Sequence, residues 1–154
     1  MNANLIIVTG PFGAPIIETA RELAAQYGLP LVDLDKEIER RDGRSIKRLV
    51  MMNGEHGYRN QEYEVLQELA EEGASCVVAC GDGVLYDDDS RRIILENRLV
   101  IAGEGLSEEA LWRTASECKD SYHAFMSFGT AEEKRAAFGD LIRRQRAMIE
   151  GVKK

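Results

Sequence analysis

Leu5-Ile6-Ile7-Val8-Thr9-Gly10-Pro11-Phe12-Gly13-Ala14-Pro15-Ile16-Ile17 is the stretch from which the rest of the chain can be read. Its apolar, β-branched run closed by a glycine marks residues 4–9 as a strand buried on both faces. From Ile16 onward, Ile16, Ile17, Ala20, Leu23 and Ala24 recur at helical spacing. Strand, glycine-bearing turn and helix in that order are the layout of a phosphate-binding turn, whose pattern is G-x-x-x-x-G-K-[ST]. Gly10 fits the first glycine. Pro15, Ile16 and Ile17 stand where the second glycine, the lysine and the hydroxyl belong. The frame is present and its charged chemistry is not.

Working outward, Gly28-Leu29-Pro30 stops the first helix, and Pro15 suits its start because the first helical N–H has no partner to lose. Leu31 to Asp35 is expected as a second strand that ends in two alternating carboxylates. Ser45 caps a helix over Ile46–Met52 that Asn53-Gly54 ends, and another helix is expected from Gln61 to Glu72. Ser75 to Ala79 is a third strand, closed by Gly81-Asp82-Gly83. The acidic run Asp87-Asp88-Asp89 is expected at a helix N-terminus, where carboxylates complement the helix dipole. Arg98 to Ala102 gives a fourth strand, and Ser107 opens a further helix. Residues 116–129 are irregular, and a last helix runs from about Ala131 to Glu150. Strands alternating with helices imply an α/β fold: a three-layer, doubly wound parallel sheet of about four strands in one domain, 1–154. Ligands of such sheets sit beyond the carboxyl ends of the strands, where residues 10–15, Asp33, Asp35 and 81–83 fall together.

The formal net charge of −7 and pI near 5.0 argue against a nucleic-acid partner. No apolar run reaches the ~20 residues of a membrane span, and no signal segment is read, so a cytoplasmic setting is expected. Cys76, Cys80 and Cys118 form no disulfide framework and no metal site, because strand geometry keeps the first two apart and matching ligands are missing.

The order of motifs resembles the shikimate kinase family of small P-loop kinases. It rests on residues 10–14 (Gly-Pro-Phe-Gly-Ala), 21–24 (Arg-Glu-Leu-Ala), 28–35 (Gly-Leu-Pro-Leu-Val-Asp-Leu-Asp), 45–46 (Ser-Ile), 54–59 (Gly-Glu-His-Gly-Tyr-Arg), 64–69 (Glu-Val-Leu-Gln-Glu-Leu) and 81–85 (Gly-Asp-Gly-Val-Leu). They are collinear to about Gly103 and traceable to Arg144. The resemblance implies phosphoryl transfer from ATP to a hydroxyl. It places Asp33 near magnesium and Asp35 on a shikimate hydroxyl, sets Arg59 and Arg144 on the shikimate carboxylate, and lays Gly81, Asp82 and Gly83 against the same substrate. Gly10, Gly13, Ala14, Pro15, Ile16 and Ile17 then form the nucleotide turn in a degenerate state.

Four departures shape the expected function. Pro15, Ile16 and Ile17 remove an N–H, the lysine and the magnesium hydroxyl, and Glu18 adds a carboxylate where triphosphate charge would lie; Thr19 lies beyond the usual hydroxyl position. Asp82 interrupts the glycine triplet, and either pairs with Arg59 or Arg144 inside the acid pocket or points to solvent and caps a turn. The lid loop, 115–129, contains Lys119 and His123 but no arginine. The chain stops before the family's last strand and helix, so an open sheet edge is expected to invite a homodimer. The expected protein is a shikimate-kinase-like pseudoenzyme with no cofactor, ATP and magnesium entering only if the family's activity survives. Its expected ligand is a small hydroxy-acid or a protein partner. An active kinase with an unusual turn is the first alternative. A structural protein in which Asp35 pairs with Arg59 is the second.

Overall fold

A computed structural model describes residues 4–153. Strands β1 (Leu5–Thr9), β2 (Leu31–Asp33), β3 (Cys76–Ala79) and β4 (Arg98–Ile101) alternate with six α-helices: α1 (Ile16–Tyr27), α2 (Leu34–Asp42), α3 (Ile46–Glu71), α4 (Asp88–Leu95), α5 (Glu108–Ala115) and α6 (Ala131–Lys153). The sheet is wholly parallel in the order β2-β3-β1-β4, with Leu5 opposite Cys76, Ile6 opposite Arg98 and Leu31 opposite Val77. The expected four-strand doubly wound sheet is therefore present among the described residues.

Period-two alternation divides the central strands between two cores. Leu5, Ile7, Cys76 and Val78 face Leu34, Ile38, Leu49, Leu66, Ile94 and Ile149. Ile6, Val8, Val77 and Ala79 face Ala20 and Ala24 of α1. A third cluster joins Phe12 of the turn to Leu111 and Ala115 of α5 and to Phe138, Leu141 and Ile142 of α6. The turn thus belongs to the core as much as to the surface.

Two expected boundaries are corrected. β2 ends at Asp33, whose side chain accepts the Lys36 N–H (3.2 Å) and caps α2, so Asp35 lies in the first turn of a helix rather than at a strand end. Leu34 and Ile38 are that helix's buried residues, spaced four apart. α3 continues past the expected stop at Asn53-Gly54, bending where Gly54 takes φ 78° and ψ 168°, so its second arm begins near Glu55 instead of Gln61. The acidic run does open α4: Asp87 accepts the Ser90 N–H at 2.9 Å. Among the described residues, no helix is long and apolar enough to cross a membrane.

Candidate functional site

The carboxyl ends of β1, β2 and β3 surround a cavity of about 270 Å³. The turn after β1 supplies Pro11 to Ala14, followed by Ile16, Ile17 and Glu18; the end of β2 and the start of α2 supply Asp33 and Asp35; the end of β3 supplies Cys80, Gly81 and Asp82. Thr114, Ala115 and Cys118 close the fourth side. Most residues singled out in the sequence therefore meet here. Gly10, Pro15, Arg59, Gly83 and Arg144 do not line the cavity.

The turn's own hydrogen bonds take up three of the N–H groups that a phosphate turn would present. Pro11 and Pro15 carry no N–H. The Phe12 N–H donates to Gln145 Oε1 (2.8 Å), and the Ala14 N–H to the Pro11 carbonyl (3.0 Å). The Ile16 N–H donates to the Ala14 carbonyl (2.9 Å), because Pro15 at φ −80° and ψ 66° makes an inverse γ-turn. Gly10 and Gly13 are required by packing. A Cβ on Gly10 would stand 2.5 Å from the Ala102 carbonyl oxygen, and one on Gly13 would stand 2.3 Å from that of Leu111. Ile16 and Ile17 are half-buried against the α1 side of the sheet.

Behind the cavity lies a buried polar cluster. The Tyr58 hydroxyl donates to Asp35 Oδ1 (2.5 Å). Arg59 donates through Nη1 to Glu62 (2.8 Å) and through Nη2 to the Tyr122 hydroxyl (2.7 Å), with Glu55 more distant at 3.5 Å. Glu62 is fully buried, and its Oε2 has no hydrogen-bond partner, as is true of Arg59 Nε. Burial pushes the Glu62 carboxyl up to about 7 against the pull of Arg59, and pushes Asp35 up to about 6 against its bond from Tyr58. Burial works against the Arg59 charge, but Glu62 and the two tyrosines outweigh it and hold the guanidinium charged. The flanking glycines make room for this cluster. A Cβ on Gly81 would meet the Tyr58 hydroxyl at 2.7 Å, and one on Gly83 would meet Arg59 Nη2 at 2.1 Å.

Asp82 contradicts both expectations for it. It forms no ion pair with Arg59 or Arg144, and it does not face solvent. Its Oδ2 accepts from Gln145 Nε2 (2.6 Å) and lies 2.8 Å from His123 Nε2, with the side chain 13% exposed. Burial opposes its charge, but the contacts from His123 and Gln145 prevail and hold its carboxyl below the usual range. His123 also stacks on Tyr122 and packs on Phe12, so the lid segment 115–129 is tied to the turn and to β3 together. The expected Asp35–Arg59 pair is likewise absent, since Tyr58 takes Asp35 and Glu62 takes Arg59. Arg144 is exposed on α6 and donates to the Asp140 carbonyl of its own helix (3.4 Å). Lys119 is exposed and lies outside the cavity lining.

Tyr58, Glu62, Tyr122 and Gln145 were not read from the sequence. A signal existed for two of them. Glu62 follows Tyr58 by one helical turn around Arg59, and Gln145 interrupts the stripe Phe138, Leu141, Ile142, Ile149 on the buried face of α6. Tyr122 sits in an irregular segment and carries no such mark.

All three cysteines are free, as expected; Cys76 and Cys80 are buried and Cys118 is exposed at the cavity mouth. Burial raises the Cys80 thiol well above its usual range. Titration with a chromogenic disulfide at pH 8 should therefore modify one thiol rapidly in the native protein and all three in urea. Rapid native modification of two thiols would contradict this packing.

The shikimate kinase family model matches residues 18–124. A shikimate kinase of Francisella philomiragia is 33% identical over 114 residues, covering 74% of this chain and 65% of that relative. One from Francisella tularensis subsp. novicida is 32% identical over the same coverage. This chain thus spans about two thirds of the length of these curated relatives. Among solved structures, the shikimate kinase of Acinetobacter baumannii in complex with shikimate has a TM-score of 0.82 and 25% identity, over 98% of this chain and 80% of its own. The shikimate kinase of Bacteroides thetaiotaomicron has a TM-score of 0.77 and 22% identity, over 94% of this chain and 80% of its own, and shows the shared fold.

Proposed function

Given that the chain belongs to the shikimate kinase family, we propose that it is a non-catalytic member which keeps a small-ligand pocket at the acceptor end and has lost ATP phosphoryl transfer. The carrying observation is the inverse γ-turn at Pro15. It bonds the Ile16 N–H to the Ala14 carbonyl, in the turn that should present N–H groups to phosphate. Phosphoryl transfer depends on such donors, on a lysine and on a bound magnesium. Losing a single comparable donor lowers the rate by ~10²–10³. Here Pro15, Ile16 and Ile17 leave a degenerate nucleotide turn without the second glycine, the lysine or the hydroxyl.

Asp33 and Asp35 are the acceptor-side residues that remain on the cavity, with Gly81 beside them. ATP and magnesium have no role in this account, although the family resemblance sets Asp33 near such a metal and Asp35 on the acceptor hydroxyl. The single domain 1–154 works in the cytoplasm without nucleic acid, and the β4 edge is where a second copy or another protein would add. A hydroxy-acid would have to reach Arg59 past Tyr122.

The test pairs turnover with calorimetry. Incubation with shikimate and Mg-ATP should give no product above an enzyme-free control, and Mg-ATP up to about 1 mM should give no binding heat. Turnover above background would replace this account with the alternative of an active kinase using an atypical turn. That alternative is favoured by the placement of Asp33 and Asp35 at the carboxyl end of the sheet.

A further inference from the structure

The cavity at the carboxyl ends of β1, β2 and β3 has four carboxylates in its lining, Glu18, Asp33, Asp35 and Asp82, and neither a lysine nor an arginine. Of these, only Asp82 has an ion-pair partner among the described residues, His123 at 2.8 Å. Asp35 Oδ1 accepts from the Tyr58 hydroxyl and Asp33 Oδ1 from the Lys36 N–H; the second oxygen of each has no donor among the described residues. A further acceptor stands behind the wall. The fully buried Glu62 Oε2 has no hydrogen-bond partner and lies 3.5 Å from where a Cβ on the lining residue Gly81 would stand. Arg59 is outside the lining and paired with Glu62. Burial first, and then the charges of Asp33 and Asp82, disfavour the ionised form of Asp35, a cost that a cation seated beside it would relieve. Among the described residues, no group of three or more His, Cys, Asp or Glu side chains could hold a metal ion. The carboxylates therefore stand around the cavity instead of converging on one point, and the turn adds apolar surface from Phe12, Ile16 and Ile17.

Resting on the account above that the pocket still holds a small ligand, we propose that this ligand is a small aliphatic ammonium, seated on Asp35 and Asp33 with its hydrocarbon chain against Ile16 and Ile17. An ammonium carries three donors and no acceptor, which matches a lining whose charged groups are all acceptors. An anionic ligand would meet like charge from α1, from the β2–α2 junction and from the end of β3. An uncharged polyol could donate to the same oxygens but would leave their charge uncompensated. Charge-assisted hydrogen bonds are among the strong ones, so one such contact moves affinity by about tenfold or more.

Calorimetric titration of the full chain with putrescine and with butanediol, its hydroxyl-ended counterpart, provides the test, because the two share one carbon chain and differ in charge. Sodium chloride at about 0.15 M screens the exposed carboxylates elsewhere on the surface. Putrescine should bind at one site, at least about tenfold more tightly than the diol. Asp35→Asn, which keeps an acceptor for the Tyr58 hydroxyl, should weaken putrescine by about tenfold and leave the diol nearly unchanged. If that variant does not fold, Asp33→Asn, which keeps the helix cap, carries the comparison in the same direction. A smaller preference for putrescine, or an unchanged putrescine affinity in the variant, would overturn the proposal and leave the pocket standing. Shikimate bound more tightly than putrescine would do the same. Binding of none of the three compounds would overturn the proposal and the pocket together. Turnover with shikimate and Mg-ATP is a separate result and would overturn the non-catalytic account instead.

Discussion

Glu62→Ala is expected to lower the unfolding free energy by about 3–5 kcal/mol at pH 8, because it leaves the Arg59 guanidinium buried without its ion-pair partner. The pair is almost dry, with side-chain exposures of 6% for Arg59 and 0% for Glu62. Tyr122 and the more distant Glu55 cannot replace a carboxylate at 2.8 Å. The same cluster fixes the sign of a pH effect. Glu62 and Asp35 have folded pKa values of about 7 and about 6, above their usual 4.5 and 3.8. Between those limits the folded state binds more protons than the unfolded state, so stability falls as pH rises from about 4 to about 7. Glu62→Gln should flatten part of that slope, on the order of 3 kcal/mol across the window. Asp82 acts in the opposite sense: its depressed pKa contributes stability above about 4, which is lost on further acidification. Urea unfolding followed by circular dichroism at pH 3, 4.5, 6 and 8 reads both effects. A Glu62→Ala variant within about 1 kcal/mol of the native protein at pH 8 would show that the pair does not hold the cluster together.

The sheet was legible because β1, β3 and β4 are short, nearly unbroken apolar runs between glycines or charged residues, and parallel central strands must look that way. α2 was not legible. Its sequence, Leu-Asp-Lys-Glu-Ile-Glu-Arg-Arg-Asp, offers two apolar residues at i and i+4, too few for a period to show. The cap at Asp33 was hidden because the same residue also ends a strand. In the site, the positions of Asp33, Asp35, Gly81 and Asp82 followed from topology alone, since the carboxyl ends of parallel strands converge. Their partners did not. Asp82 is held by residues 41 and 63 positions away, and no local pattern encodes which distant donor answers a buried carboxylate. Gln145 marks the limit well: a polar residue on an apolar helix face could be noticed, but its double contact with Asp82 and the Phe12 N–H required the fold.

Gly13→Ala is expected to destabilise the protein by about 3 kcal/mol or more, although in the family pattern such a glycine would serve phosphate. Two independent effects combine. Gly13 has φ +97°, where an L side chain is strained by roughly 1–2 kcal/mol. Its added Cβ would also stand 2.3 Å from the Leu111 carbonyl oxygen and 3.0 Å from that carbonyl carbon. Those atoms are helix α5 backbone, which cannot rotate aside as a side chain would, so the turn and α5 must separate and open the cluster of Phe12, Leu111 and Phe138. Gly28→Ala supplies the control. Gly28 also has positive φ, +63°, but nothing lies within 4 Å of its would-be Cβ. It should therefore show the strain alone, about 1 kcal/mol. Thermal and urea unfolding of the two variants separate the contributions by subtraction, since Leu111 crowds a Cβ at Gly13 and nothing crowds one at Gly28. Equal losses in the two would mean that the turn does not press on α5. A much larger loss at Gly13 would establish that this glycine is held by packing, which requires no nucleotide at the turn.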